Sequence, residues 1–271
     1  MIVCDNGAAA PVMRGMNNGN TVCVAADNVA RGVYMALKRL YSFGVYVPGD
    51  GADVTKGEMM KEVFLNLEIG DPFSGYCVPK CIIAAPSHDV EITTGMEGLI
   101  QYELEFIDGT RDQDADLFGY TYHQLYKDHY PKMVQTLKEN TFTRQAVLPV
   151  GAGNFYGVEA DKPCLTELIF KVRPDKKLWC TAVFRSNDAV RAFPMNVWAI
   201  ARLLKHVSHE VGVPAGGINY IANSFHVYPS CMDTLRGYIA RYDTGSPDTW
   251  AWTEDEYISR KFELMLDMED V

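Results

Sequence analysis

The residues best suited to chemistry in this 271-residue chain stand in one stretch, Phe184 to Asn196, which reads FRSNDAVRAFPMN. It places a guanidinium, a hydroxyl, a carboxylate and a carboxamide close together, at Arg185, Ser186, Asp188 and Asn196. Arginine forks bind phosphate, and a carboxamide can both donate to and accept from a heterocyclic ring. The stretch therefore favours a ligand that has an anionic group and a hydrogen-bonding ring. The alternative is a strand end with solvated polar residues.

Further reactive or polar groups stand upstream and downstream of this stretch. Cys164 follows a proline at the start of a strand-like segment, and Ser224, His226 and Tyr228 close another such segment. Arg144 follows a helix-like segment upstream of both. A cysteine thiolate is strongly nucleophilic and can leave again, and a neighbouring cation raises the thiolate fraction. As one of seven cysteines, Cys164 has the alternative role of a small buried apolar residue.

Strands predicted from alternating apolar residues would present these groups at their ends. The predicted strands are Lys61–Ile69, Cys164–Val172, Lys177–Phe184 and Ile218–Tyr228. A charged turn joins the second and third of them, so these two are expected to pair.

Apolar residues at three- and four-residue spacing predict helices at Asn28–Tyr41, at Gly98–Ile107 and directly after Asn196. Residues 1–27 lack periodicity and are predicted to be a loose arm. No repeat or linker divides the chain, so residues 1–271 are interpreted as one domain of mixed α/β (α+β) class.

Composition limits the class of protein. The net charge of −10 argues against a general nucleic-acid coat, which needs clustered cations, although a few arginines can still bind a small anion. No segment approaches the ~20 apolar residues of a membrane span. The seven cysteines lack the spacing of a disulfide scaffold, and the six histidines lack that of a metal site. We therefore expect a reduced, cytoplasmic protein without a metal ion.

The Pro-Cys element, the Arg-Ser-x-Asp…Pro-x-Asn string and the His-x-Tyr element, in this order, resemble the thymidylate synthase and pyrimidine-nucleotide hydroxymethylase family. The resemblance is good from Leu137 to Tyr228 and weaker from Gly98 to Leu125. It implies a mixed sheet packed at a homodimer interface, with helices on its other face. It also implies one-carbon transfer from 5,10-methylenetetrahydrofolate, or another methylene-pterin, to C5 of a pyrimidine nucleoside monophosphate.

The resemblance implies a covalent mechanism and a phosphate site. Cys164 would add to C6 of the pyrimidine, which turns C5 into an enolate-like nucleophile. Arg185 and Ser186 match positions that bind the nucleotide phosphate, and Arg144 matches one that reaches across the dimer interface. Gln145 replaces a second family arginine there. The alternative for Arg144 is a solvated surface residue.

Recognition of the base and the sugar follows from the same resemblance. Asn196 matches the amide that reads uracil, whereas an aspartate there would suit cytosine. Asp188 would lie beside the ring. His226 and Tyr228 match residues that hold the sugar hydroxyl, and Ser224 beside them is assigned to the substrate as well. The alternatives are a helix cap for Asn196, a turn cap for Asp188 and a satisfied strand-end pair for His226 and Tyr228.

A glutamate is expected to relay protons around O4 and C5 through water. Glu103 in the segment YELEF matches the family residue, but the neighbouring Glu105 makes the match ambiguous. The alternative for Glu103 is a solvated helix face.

Departures from the family pattern bear on the product. Leu165 and Ile169 stand where typical synthases carry His and Gln, the segment RDQDADLFG lacks tryptophan, and the tail FELMLDMEDV is unlike the usual closing segment. These changes fall where hydride transfer would need shielding from water, so they favour 5-hydroxymethyl-dUMP as the product from dUMP. Thymidylate synthesis is the alternative, followed by CMP or dCMP hydroxymethylation. A protein of another class, an inactive relative that binds nucleotide or RNA, also stays open.

Overall fold

The computed structural model describes residues 20–49, 59–81, 95–113, 120–151 and 162–269. The strands are β1 Thr21–Ala26, β2 Val45–Pro48, β3 Met59–Ile69, β4 Tyr76–Pro79, β5 Val147–Pro149, β6 Leu165–Val172, β7 Leu178–Phe184, β8 Asn187–Asp188, β9 Ala215–Val227 and β10 Ala251–Thr253. The helices are α1 Val29–Phe43, α2 Gly95–Asp108, α3 Tyr122–Tyr126, α4 Tyr130–Glu139, α5 Phe193–Val211, α6 Met232–Thr244, α7 Pro247–Trp250 and α8 Glu254–Glu269.

One mixed sheet organises the described residues, with the strand order β1-β3-β9-β7-β6-β5. The pairs β1–β3, β7–β9 and β8–β9 are parallel, and the pairs β3–β9, β6–β7 and β5–β6 are antiparallel. Strand β2 pairs with β3, while β4 and β10 form a separate two-stranded sheet. The predicted mixed α/β class is confirmed, and the single-domain interpretation stays a prediction.

Helices α1 and α5 cover one face of the sheet. Helix α1 begins after Asn28, whose side chain accepts from the backbone N–H of Arg31, and it buries Val33 and Leu37. Helix α5 is buried along most of its length and ends at Gly212, whose φ of 69° is the left-handed conformation that glycine adopts readily. The helices predicted after Asn28 and around Asn196 are therefore confirmed.

The opposite face of the sheet carries a row of half-buried apolar side chains. Val183 on β7 pairs in register with Ile221 on β9, and Ile169 on β6 pairs with Thr181 on β7. All four are of intermediate exposure, whereas their strand neighbours Ala182 and Ala222 on the helix-covered face are fully buried. The described part of the chain thus leaves this face of the sheet partly open.

The expectation for the N-terminal region is corrected in part. Residues 1–19 lie outside the described residues, but Thr21–Ala26 is a strand rather than part of a loose arm. Val22 and Val24 are buried, and the strand pairs with β3 in parallel. Pairing with β3 supplies the hydrogen bonds that a six-residue strand lacks by itself, so short-range periodicity did not reveal it.

Candidate active site

The ends of two parallel strands bring the predicted polar residues together. Strand β7 ends immediately before Arg185, and its parallel neighbour β9 continues to Val227. The backbone N–H of Ser224 donates to the carbonyl of Arg185 at 3.2 Å, and strand β8 then places Asp188 in register with His226. Two segments 38 residues apart in sequence therefore share one edge, as expected where parallel strands end.

Arg185 ties the segment before Cys164 to the end of β7. Its Nε donates to the carbonyl of Pro163 at 3.0 Å, and its Nη2 donates to the carbonyl of Lys162. Its backbone N–H donates to the carbonyl of Cys164 at 2.9 Å. Half-buried Cys164 thus directly follows two carbonyls that the Arg185 guanidinium holds, and a cation near a cysteine favours the thiolate form in general.

Tyr122 lies on the other side of Cys164. Its phenol accepts a hydrogen bond from the backbone N–H of Leu165 at 3.3 Å. Burial raises the pKa of Tyr122 well above its ordinary value, and the neighbouring Cys164 thiol raises it further. Thr121 caps α3 in a capping box with Gln124, which fixes the start of the helix that carries Tyr122.

Ser186, Ser224 and His226 form one polar cluster. His226 Nδ1 lies 3.5 Å from Ser186 Oγ and 3.3 Å from Ser224 Oγ. Ser224 Oγ donates to a carboxylate oxygen of Glu62 on β3, which is 162 residues away in sequence. The Tyr228 ring stands edge-on to His226, with ring centroids 5.0 Å apart. The structure therefore brings the predicted phosphate and sugar residues together and adds Glu62 to them.

Asp188 and Asn196 both lie near the start of α5, but only the Asp188 side chain bonds to the backbone there. Asp188 Oδ1 accepts from the backbone N–H groups of Val190 and Arg191, both at 2.9 Å, so the predicted turn-capping alternative is present. Asn196 lies within the first turn of α5, because its backbone N–H donates to the carbonyl of Ala192. Its side chain is 2% exposed and does not cap the helix.

The Asn196 amide meets two phenols. Tyr102 on α2 donates its hydroxyl hydrogen to Asn196 Oδ1. Burial raises the pKa of Tyr220 on β9 well above its ordinary value, and a hydrogen bond from the Asn196 side chain opposes part of that rise. The Cys164 thiol also raises the pKa of Tyr220, so Cys164 lies close enough to act on the same phenol electrostatically.

The Glu103 carboxylate forms its hydrogen bonds away from Asn196, although Glu103 follows Tyr102 directly in the sequence. Its carboxylate accepts from Arg202 Nε at 3.1 Å, from Lys261 Nζ at 2.8 Å and from the Tyr257 hydroxyl at 2.5 Å. Burial would raise the pKa of Glu103, but Arg202 and Lys261 outweigh it and hold the pKa below its usual range. These three partners of Glu103 lie on α5 and α8, so the carboxylate is neither on a solvated helix face nor bonded to Asn196.

Glu105, the second candidate glutamate, has a different environment. Burial raises its pKa, Arg111 opposes the rise, and Asp112 adds to it. Its charge also contributes to the raised pKa of Tyr102, so Glu105 lies on the Tyr102 side of α2. The expected relay role of a glutamate stays a prediction for either residue.

Arg144 stands apart from the cluster in a single chain. It is exposed and lies just before β5, which is the last strand of the main sheet. Most of the tryptophan-free segment, residues 114–119, lies outside the described residues, as does the end of the tail.

Four residues at the site were missed in the sequence: Tyr102, Tyr122, Tyr220 and Glu62. Tyr102 directly precedes Glu103, the glutamate that was predicted to relay protons. Which of these two neighbours faces Asn196 depends on how α2 is rotated about its own axis. Within the described ranges, no group of His, Cys, Asp and Glu is arranged to hold a metal ion, and no helix is long and apolar enough to cross a membrane.

Several known proteins are similar to this chain. A family model described as thymidylate synthase matches residues 107–267. A protein of Methanosarcina mazei named "Putative thymidylate synthase" is 26% identical over 225 residues, which are 80% of this chain and 94% of that protein. A protein of Pseudomonas phage M6 named "Deoxyuridylate hydroxymethyltransferase" is 30% identical over 148 residues, which are 50% of this chain and 42% of that protein.

Proposed function

The chain belongs to the thymidylate synthase family, and on that basis we propose that it transfers a one-carbon unit to C5 of dUMP through a covalent bond between Cys164 and C6. The observation that carries the proposal is the clustering of three groups. The segment before Cys164 is bound to Arg185, and Cys164 and the Asn196 amide both act electrostatically on the Tyr220 phenol. A thiol, a phosphate-binding cation and a base-reading amide are the groups that this reaction requires.

The residues divide the reaction between binding and bond formation. The Cys164 thiolate adds to C6, and the electron pair of the C5–C6 double bond moves towards C5 and O4. Asn196 donates to O4 and accepts from N3–H, which holds the ring and favours that charge. After the new bond at C5 forms, the C5 proton leaves to a base. The donor nitrogen would then leave the transferred carbon, water would add to that carbon to give the hydroxymethyl group, and Cys164 leaves as thiolate. The ring and the cysteine are then both restored.

Phosphate and sugar binding are assigned to the polar cluster. Arg185 and Ser186 bind the phosphate, and Ser224, His226 and Tyr228 hold the sugar hydroxyl. Asp188 stands beside the base, and its contacts with the turn before α5 fix its position. Glu62 accepts the hydroxyl hydrogen of Ser224, which leaves the Ser224 oxygen as an acceptor for the cluster.

We assign Arg144 to the phosphate of a second subunit. It is exposed at the edge of the sheet, away from the cluster of its own chain. The partly open sheet face with Ile169, Val183 and Ile221 is the surface that would pack in a homodimer, because half-buried apolar rows gain stability when a partner covers them.

The carbon donor is proposed to be 5,10-methylenetetrahydrofolate or another methylene-pterin. Aromatic side chains that suit a flat ring lie beside Cys164: the Tyr120 and Tyr122 rings are 6.1 Å apart, and Tyr122 is 5.7 Å from Phe106. Tyr120 and Tyr122 would hold the pterin next to the nucleotide. When bound, it supplies a carbon at the oxidation level of formaldehyde.

The product is proposed to be 5-hydroxymethyl-dUMP, with dTMP as the second candidate. Position 165, where typical synthases carry a polar residue, holds a fully buried leucine. Relatives of both names occur among the similar proteins, and each supports one of the two products.

To test the product, the chain is incubated with dUMP and methylenetetrahydrofolate, and the mass of the nucleotide is measured by mass spectrometry. A gain of CH2O supports hydroxymethylation, and a gain of CH2 alone supports thymidylate synthesis instead.

A matched pair of cysteine variants tests the covalent step. Cys164→Ser is expected to abolish both the product and the protein–nucleotide adduct. Cys23→Ser alters the other half-buried thiol among the described residues and is expected to change neither. Full turnover by Cys164→Ser would overturn the mechanism.

A further inference from the structure

The Asn196 amide is held in a single orientation by the phenol of Tyr102. The Tyr102 hydroxyl can donate one hydrogen, and it does so to Asn196 Oδ1. An amide oxygen has two lone pairs, so Oδ1 can accept a second hydrogen bond from a ligand. The contact therefore orients the amide without preventing it from reading a base.

Tyr220 favours the same orientation from the other side. Its hydroxyl donates to Asn187 Oδ1 at 3.2 Å, and Asn187 is 1% exposed. A phenol carries a single hydrogen, so the Tyr220 oxygen can act only as an acceptor towards Asn196. The Asn196 side chain lowers the pKa of Tyr220, and an acceptor on this side favours Nδ2 over Oδ1. Tyr102 at the oxygen and Tyr220 at the nitrogen therefore distinguish the two ends of the amide.

The rings that carry these hydroxyls are packed in place. The Tyr220 ring is stacked on Phe184 at 4.7 Å and meets Phe193 edge-on at 5.2 Å. The Tyr102 ring lies 6.1 Å from Phe106 on the same helix. The Tyr220 hydroxyl cannot follow the amide if it turns over, because Tyr220 is fully buried and core side chains keep their rotamers when neighbours surround them.

Amide orientation matters because uracil and cytosine present opposite patterns. Uracil has an acceptor at O4 and a donor at N3–H, whereas cytosine has a donor at its 4-amino group and an acceptor at N3. An amide that is free to turn over satisfies either base, and an amide held in one orientation satisfies one and opposes the other. A fixed Asn196 therefore discriminates between the bases, while a loose one does not.

We propose that Tyr102 is the positioning residue that fixes the Asn196 amide and thereby makes the site prefer uracil to cytosine nucleotides. The proposal rests on the proposed function for the identity of the ligand. It assigns to Tyr102 an effect on selectivity that is exerted through Asn196.

The test compares dissociation constants for dUMP and dCMP, measured by calorimetry on the full chain. In Tyr102→Phe, the dUMP preference is expected to fall by about tenfold, the equivalent of one lost hydrogen bond. Tyr34→Phe is the matched control, because Tyr34 also donates one hydrogen bond through its phenol, to the backbone carbonyl of Trp250. Its dUMP preference should equal that of the wild type. An unchanged preference in folded Tyr102→Phe overturns the proposal.

Tyr220→Phe provides a second variant if Tyr102→Phe does not fold. It removes the acceptor at the amide nitrogen and is expected to reduce the same preference; an unchanged preference there again overturns the proposal. Nucleotide binding can be measured without turnover, so failure of the proposed function can be told apart from failure of the Tyr102 proposal. A wild-type chain that prefers dUMP without forming product contradicts the proposed function alone. A wild-type chain that binds neither nucleotide, or prefers dCMP, overturns the role of Tyr102 as well.

Discussion

Arg185 reaches back from the end of β7 to the carbonyl of Pro163, with an Nε–O distance of 3.0 Å, directly before Cys164. The strand that carries the cation and the segment that carries the thiol are therefore joined by the cation itself. A change at residue 185 should affect both phosphate binding and the position of the nucleophile.

Arg185→Lys keeps the charge and removes the fork. A lysine cannot donate to the backbone carbonyls before Cys164 and to a phosphate in the same geometry. We expect dUMP to bind about tenfold to a hundredfold more weakly, because lost charge-assisted hydrogen bonds cost about 1.5–3 kcal/mol. Calorimetry measures the affinity, and mass spectrometry follows the adduct. Arg173→Lys, at the opposite end of β7, is the control; equal losses in both variants would exclude a specific role for Arg185.

Asn196→Asp should reverse the choice of base. A carboxylate accepts hydrogen bonds only, so it repels O4 of uracil and accepts from the amino group of cytosine. We expect dUMP affinity to fall by about tenfold to a hundredfold, with a gain in relative affinity for dCMP. Binding assays with both nucleotides check this. Asn140→Asp, an exposed change at the end of α4, should leave both affinities alone. Undiminished preference for uracil in Asn196→Asp would contradict the account of base reading.

Hybrid dimers test the shared site. Arg144→Ala and Cys164→Ala should each be inactive as homodimers, for different reasons. After the two are unfolded together and refolded at equal amounts, about one quarter of wild-type activity should return, because half of the dimers contain one intact site. Activity that stays absent after mixing, with dimers present by light scattering, would place Arg144 in the site of its own chain.

Glu103→Gln should destabilise the fold. Its carboxylate is 3% exposed and neutralises Arg202 and Lys261, whose side chains are 14% and 18% exposed. Removal of one partner from a buried ion pair costs about 3 kcal/mol, because it leaves charge uncompensated. Denaturant unfolding measures the loss. If stability is unchanged and kcat falls by about a hundredfold or more, Glu103 is instead the proton relay that the family resemblance implied.

The stability difference between wild type and Glu103→Gln is expected to depend on pH in one direction. The pKa of Glu103 is held below its usual range by Arg202 and Lys261. The stabilisation is therefore complete above the pKa of an unfolded glutamate, about 4.3, and is lost as the pH falls through the folded value. Thermal unfolding of wild type and Glu103→Gln should converge below about pH 4. A gap that widens on acidification would show that the carboxylate is not held ionised by its partners.

The sequence by itself determined the elements and the linear motif. The apolar spacing after Asn196 predicted α5, and alternation predicted β6, β7 and β9, because these elements bury a regular face. The string from Arg185 to Asn196 stays together in space because a strand end, a turn and a helix start follow one another directly.

Only the tertiary structure decided which side chains meet. Consecutive residues on a helix point about 100° apart, so the packing of α2 between α5 and α8 turns Tyr102 towards Asn196 and Glu103 towards Arg202. Glu62 reaches Ser224 only because β3 pairs with β9. Periodicity identifies the face that is buried, but not the element that covers it. The partner of each polar side chain is therefore set by packing between segments that are distant in sequence.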